Sequence, residues 1–336
     1  MLCLVTGATG HIGSALLKEL LKNGYNIRVL ILKNDDSTLI EKLGVEIYYG
    51  DVRNIDDVRT AMKGVDTVFH LAGIIGIGSG KKKLMYSVNV EGTRNIVDVC
   101  LEQNVKKLVY ASSVHAIREL KNNMTIMETK EFEPDKVKGT YAKTKAMATC
   151  IVLKGVEKGL DAVVVHPSGV IGPYDFKLSN IGQLILDFMA QKLYAYIDGA
   201  YNFIDVRDVA KGIVLAEKNG RAGECYILSG EKVTVKMLLD YLEDITGVKA
   251  PKFKLAYAFA KMTGPFAELY YKIARRQPLF TSYSISTLKS NCNFSNAKAR
   301  KELGFKPRPI VNTLKDTVKW MQDNMSNYKN QRKSKH

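Results

Sequence analysis

Hydrophobic positions in the first half of this chain switch period again and again. Leu2–Thr6 is a short unbroken apolar run, the pattern of a parallel strand buried on both faces. Over 12–22 the apolar residues fall at 12, 15, 16, 17, 20 and 21, a helical stripe that Asn23-Gly24 ends. The same reading gives strands over 27–32, 45–49, 67–71, 107–111 and 162–166. Between them lie helices over 37–42, 55–62, 88–102 and 141–157. Such alternation predicts an α/β fold built on a doubly wound parallel sheet with helices on both faces.

After Pro167 the rhythm breaks. Segments 173–200 and 220–310 read as short helices and loops, while 203–217 reads as a strand end and a helix that return to the main sheet. The expectation is a nucleotide-binding domain over 1–170, a smaller interleaved C-terminal substrate lobe over 171–325, and a basic disordered tail over 326–336. Segment 253–276 mixes Phe253, Leu255, Tyr257 and Phe259 with Tyr270, Tyr271, Arg275 and Arg276. A helix pair packed on the core is the plain reading, against a membrane-surface or substrate-lid role.

Composition narrows the class. The 336 residues, 46% hydrophobic and 25% charged, suit a soluble globular protein. Five scattered cysteines and five scattered histidines lack metal-ligand spacing, so reduced thiols, a cytoplasmic setting and no metal are expected. Apolar periodicity starts at Leu2, leaving no room for a leader, and no apolar run nears the roughly 18 residues that span a bilayer. The net charge of +16 includes Lys329, Arg332, Lys333 and Lys335 of the tail. The remaining charge is spread without interleaved aromatics, so nucleic acid is not expected as a partner, and a peripheral membrane contact stays open.

Gly7, Gly10 and Gly13 lie between the first predicted strand and helix, where backbone N–H groups cradle a pyrophosphate. Thr9, His11 and Ile12 share that turn. An acid about twenty positions on would clamp a ribose 2′-hydroxyl. Here the second strand ends in Lys33 with no acid before Asp35, which favours NADP over NAD. Strand ends line the crevice of such a sheet. Asp51 and Val52 should therefore reach the adenine, and Leu71, Ala72 and Gly73 the ribose and pyrophosphate.

Tyr141 and Lys145, four apart, share one helix face. A free phenol titrates near ~10, and a fixed cation beside it favours the phenolate, making a usable proton donor and acceptor. Ser113, closing the fifth strand after Ala111, can hydrogen-bond a carbonyl oxygen while Tyr141 protonates it; Ser112 competes for that place. His115 faces substrate or is structural. Asn89 either organises a proton-relay water or caps a helix N-terminus.

Together these residues resemble the extended branch of the short-chain dehydrogenase/reductase superfamily. The likeness rests on Thr6-Gly7-x-x-Gly10-x-x-Gly13, Asp51-Val52, His70-Leu71-Ala72-Gly73, Asn89-x-x-Gly92-Thr93, Ser112-Ser113 and Tyr141-x-x-x-Lys145. It continues through 166–173, 203–210 and the late Ala297-x-Ala299-Arg300-x-Glu302-Leu303-Gly304-Phe305. The resemblance implies a Rossmann domain and a Ser113–Tyr141–Lys145 triad, with Lys145 on the nicotinamide ribose. It also implies that Pro167, Ser168 and Val170 run along the ring, and it raises a homodimer.

Within the branch the chain looks most like dihydroflavonol 4-reductases and 3β-hydroxysteroid dehydrogenases. Nucleotide-sugar dehydratases carry an Asp-Glu pair where this chain has Val114-His115, and the epimerases' asparagine and arginine align with Gly169 and Tyr201. A buried diphosphate without cations is costly. A small, fairly apolar substrate lined by Ile74, His115, Tyr174, Phe176 and Phe203 is therefore expected. Hydride exchange between NADP(H) and a secondary alcohol or ketone leads. A nucleotide-sugar epimerase with tightly bound NAD and a redox-sensing NADP-binding protein are the alternatives.

Overall fold

The computed structural model describes residues 1–75, 82–121, 124–257 and 287–325. Seven parallel strands form the main sheet: β1 (Leu2–Thr6), β2 (Asn26–Ile31), β3 (Glu46–Tyr49), β4 (Thr67–His70), β5 (Lys107–Ala111), β6 (Ala162–Pro167) and β10 (Cys225–Leu228). Their order is β10-β6-β5-β4-β1-β2-β3. The chain starts in mid-sheet at β1 and winds outward in both directions. This places a topological switch point between β1 and β4, where ligands of open α/β sheets bind.

Two apolar layers clasp the sheet. On one face Leu4, Val68, Leu108 and Val164 meet helices α3 (Ile55–Ala61), α5 (Gly92–Glu102) and α6 (Thr140–Glu157) through Val58, Ile96 and Val152. On the other, Val5, Val29, Val109 and Val165 meet α1 (His11–Lys22) and α8 (Val206–Asn219) through Leu16, Leu20, Val209 and Ile213. Adjacent residues of each strand point to opposite layers, as a doubly covered strand requires.

The predicted helix over 88–102 is longer and interrupted. It runs as α4 (Lys82–Tyr86), a π-helical turn over Ser87–Glu91, and then α5. Such turns often mark functional sites. Within 203–217, helix α8 packs on the main sheet. Strand β9 (Ala200–Asp205) pairs instead with β7 (Gly169–Ile171) and β11 (Glu231–Thr234) in a separate three-stranded sheet. The seventh strand, β10, lies within a stretch read as loops and short helices.

A third core joins β7 and β11 to α7 (Asn180–Met189), α9 (Val235–Thr246) and α10 (Ile310–Asp323). Two further strands, β8 (Ala195–Ile197) and β12 (Phe253–Leu255), pair in parallel. The Phe203–Ala210 motif has a structural task at this junction. Asp205 caps α8 and pairs with Arg207, while Asp208, almost fully buried, is held by Arg308 through its backbone N–H and guanidinium at 2.7–3.1 Å. Of segment 253–276, residues 258–276 lie outside the described residues, as does the tail 326–336. No helix among the described residues is long and apolar enough to cross a membrane.

Candidate active site

The turn after β1 is shaped by its missing side chains. Gly7 has φ +72°, and a Cβ there would lie 2.7 Å from the Ala72 nitrogen. A Cβ on Gly13 would lie 2.2 Å from the Gly7 carbonyl oxygen. Gly10 caps α1 without a side chain, and the first turn holds no acid, so its N–H groups and positive dipole end remain for an anion.

Four hydrogen bonds gather around this turn. His11 Nε2 donates to the Pro173 carbonyl at 2.9 Å, and the Thr9 hydroxyl donates to Asp35 at 2.8 Å. Lys177 Nζ donates to both Thr9 and Asp35, at 2.9 and 3.0 Å. Lys33 is exposed and makes no hydrogen bond or ion pair with the described residues. Asp51 is occupied by Arg53, whose guanidinium holds the carboxyl below its usual range. Val52 is buried against Gly92.

Tyr141 and Lys145 sit in the first turns of α6. Tyr141 is half-buried, with the His115 ring edge-on at 6.3 Å. Lys145 is buried; its Nζ donates to the Ala111 carbonyl at 2.7 Å and the Tyr110 hydroxyl at 3.1 Å, and lies 4.6 Å from the centre of the Tyr110 ring. Burial pushes its pKa down to about 7. Ammonium and amine are thus close to balance near neutrality, and an anion brought beside Nζ favours the ammonium.

The two serines are committed differently. Thr149 gives its proton to the Lys145 carbonyl at 2.8 Å, so in its 2.8 Å contact with Ser112 it must accept. The Ser112 hydroxyl is spent in the core. Ser113 Oγ only accepts, from the His115 backbone N–H at 3.2 Å, and keeps its proton for a ligand.

Asn89 caps no helix, and toward a relay water its side chain could offer only an acceptor, the second lone pair of Oδ1. It lies in the π-turn rather than at a helix start, and its carboxamide is engaged. Oδ1 accepts from the Ile74 N–H at 2.7 Å; Nδ2 donates to the Ile74 carbonyl and to Thr144 Oγ1, each at 3.1 Å. With both amide hydrogens used, it has none to donate to a relay water. Thr144 in turn donates to the Tyr141 carbonyl at 2.9 Å. Asn89 therefore ties the end of β4 to the Tyr141 turn. Gly73 completes the junction, since a Cβ there would meet Asn89 Oδ1 at 3.3 Å and Lys145 Nζ at 3.6 Å.

Beneath lies a polar chain the sequence reading missed. Thr93 donates to the Asn89 carbonyl at 2.7 Å, so it accepts from His70 Nε2 at 3.0 Å. His70 Nδ1 then accepts from Thr6 at 2.7 Å, and Thr6 accepts the Ala72 N–H at 3.1 Å. This fixes a neutral, Nε2-protonated His70, and burial pushes its pKa down to about 3. His70 and Tyr110 are register partners on β4 and β5, with stacked rings 5.5 Å apart. Polar residues inside fully buried strands were the available signal.

A cavity of about 300 Å³ opens beside this site. Its walls include Val114, Ile117, Val137, Ala142 and Phe294, with His115 and Tyr201 joined by a 2.5 Å hydrogen bond. Tyr201 lies flat on Gly169, where a Cβ would come within 2.4 Å of its ring. Of the expected substrate-lining residues only His115 reaches this cavity, and Phe203 packs behind Tyr201 at 5.4 Å. Ile74 is half-buried beside Asn89. Tyr174 and Phe176 are turned away; both rings pack edge-on against Trp320, and Lys18 sits over Tyr174.

The described residues fit a dinucleotide. The glycine cradle suits a pyrophosphate, and Ser168, buried between β6 and β7, has a hydroxyl with no hydrogen-bond partner. No group of three His, Cys, Asp or Glu among the described residues could hold a metal. A dinucleotide cradle at the strand ends, with a tyrosine and a buried lysine one helical turn apart on α6, is an arrangement suited to NAD(P)-dependent oxidoreductases. The chain is a member of the NAD dependent epimerase/dehydratase family, matched over residues 3–229, in the extended short-chain dehydrogenase/reductase branch.

Sterol demethylase protein B of Methylococcus capsulatus is 33% identical over 96% of this chain and 99% of its own length. A putative dihydroflavonol 4-reductase of Synechocystis is 31% identical over 95% and 94%. The crystal structure of gox2253 superposes with a TM-score of 0.84 at 35% identity, covering 96% of this chain and 98% of that one.

Proposed function

We propose that this enzyme interconverts a secondary alcohol and a ketone on a fairly apolar small molecule, of the sterol or dihydroflavonol kind, with NADP(H) taken before NAD(H). The bound dinucleotide supplies or accepts the hydride. Tyr141 donates the proton to the carbonyl oxygen and takes it back in the reverse direction, while Ser113 offers the second hydrogen bond. Lys145 favours the phenolate when charged. Its Nζ would turn from Ala111 and Tyr110 to the nicotinamide ribose, and Ser168 would meet the nicotinamide.

The observation that carries this reading is the cavity beside the Tyr141 turn, where Val114, Ile117, Val137, Ala142 and Phe294 supply an apolar wall and Glu119, Lys136, Lys138 and Lys289 add charge. Gly169 and Tyr201, at the positions where the epimerases' asparagine and arginine fall, carry no charge. The names of the two curated relatives point the same way. Nicotinamide absorbance should change with hydroxysteroids or flavanonols. Tyr141→Phe should lower kcat by about 10²–10⁴-fold while dinucleotide binding persists. Interconversion of nucleotide sugars without net absorbance change would overturn the dehydrogenase reading in favour of an epimerase.

A further inference from the structure

Segment 172–179 leaves β7, crosses the glycine-rich turn and enters α7. Two non-glycine residues in it, Tyr174 at φ +71° and Leu178 at φ +51°, hold left-handed backbone, which side chains adopt only at a cost. Several contacts hold it there. His11 is bonded to Pro173, buried Asp175 accepts from the Ser179 N–H at 2.9 Å, and Tyr174 and Phe176 are wedged against Trp320. The result is to carry Lys177 across to Thr9 and Asp35, residues 168 and 142 positions away in sequence.

Asp35 is 22 residues beyond Gly13, the distance at which an acid meets the adenosine ribose. Alone it would repel a 2′-phosphate. Its two oxygens are instead shared between the Thr9 hydroxyl and the Lys177 ammonium. At the strand end Leu32 is apolar, and the exposed Lys33 is bonded to none of the described residues. The one ammonium bonded to this corner among the described residues comes from the second lobe.

We propose that Lys177 is a specificity-determining residue that admits a 2′-phosphate at the adenosine end, by neutralising Asp35 and offering its own ammonium to the phosphate. This rests on the dinucleotide reading but not on the identity of the alcohol. The single tryptophan, Trp320, packs on the same segment and provides a binding signal that needs no turnover.

Fluorescence titration of the full chain with NADP⁺ and NAD⁺ tests the assignment. Lys177→Ala should weaken NADP⁺ at least tenfold and change NAD⁺ less than threefold, and Lys177→Arg should restore NADP⁺. Asp35→Asn should tighten NADP⁺ and weaken NAD⁺. An equal loss for both dinucleotides in Lys177→Ala would make the lysine a general anion contact and overturn the proposal, as would no loss for either. A variant whose melting temperature falls is judged by the NADP⁺/NAD⁺ ratio of its folded fraction. Should the wild type bind neither dinucleotide, both this proposal and the dinucleotide reading fall. If both bind and the ratio is indifferent to residue 177, this proposal alone falls.

Discussion

Lys145 has an uneasy position for a charged side chain. Its ammonium is surrounded by a carbonyl, a phenol and an aromatic face, with no carboxylate, and burial lowers its pKa from 10.5 to about 7. The folded state therefore binds this proton less readily than the unfolded chain. Below about pH 7 the buried charge opposes folding in full. Between about 7 and 10.5 only the unfolded chain remains protonated, and stability recovers as pH rises. Replacing the lysine with methionine removes the penalty and keeps the packing. Lys145→Met should melt higher than wild type at pH 6, and thermal scans should show the two curves converging toward pH 10. A gap constant across pH would contradict this origin. That stability is given up at this position fits a residue kept for chemistry.

At the scale of elements, the site is a joint between β4, the π-turn and α6, and Asn89 is its pin. Asn89→Ala leaves the part-buried N–H and carbonyl of Ile74 and the buried hydroxyl of Thr144 short of a partner. The expected loss is about 1–3 kcal/mol, seen in a denaturant midpoint, with turnover falling as the Tyr141 turn loosens. Unchanged stability would show that the clasp is dispensable.

Periodicity showed the elements of this joint but not the joint itself. Strands β1 and β6 are legible because unbroken apolar runs have few other uses, and α1 and α8 because their stripes face one layer. The π-turn is not legible, since one extra residue per turn barely disturbs a helical stripe. Strand β10 is four residues long and could belong to any buried segment. Ser113 was separable from Ser112 only once Thr149 was seen opposite the latter. Tyr174 and Phe176 looked like pocket aromatics because nothing in the sequence announces that Trp320 meets them. Lys177 could not be placed at all, because its partners are brought near by tertiary folding alone.

For the whole molecule, three histidines set the acid limit. Burial pushes His70 down to about 3 and His115 and His166 down to about 4, from an ordinary value near 6.5. The groups facing them are known. His70 meets Thr6, Thr93 and the Tyr110 ring with Lys145 nearby; His115 meets Tyr201 and Tyr141 with Glu119 beyond; His166 meets the Ser113 carbonyl and the Phe132 ring. In the unfolded chain all three gain protons as pH falls through 6.5, whereas the folded protein resists. Their contribution is present above about 6.5 and lost as pH drops toward 3–4. Equilibrium unfolding should show stability beginning to decline from about pH 6.5, above the range in which most carboxylates titrate. His70→Asn should flatten part of the decline while costing stability at neutral pH. Since these histidines lie under Lys145, beside Tyr141 and behind Ser113, acid should disturb the site early.

The stacking of Tyr201 on Gly169 ties two strands into one decision. A methyl at 169 would fall inside the ring's radius, so no side chain can enter there while Tyr201 stays. Exchange at 201 is open, because a smaller residue leaves Gly169 undisturbed and takes the phenol away from His115. A wall of this kind can be rebuilt in one order only: the tyrosine goes first, and a side chain at 169 follows.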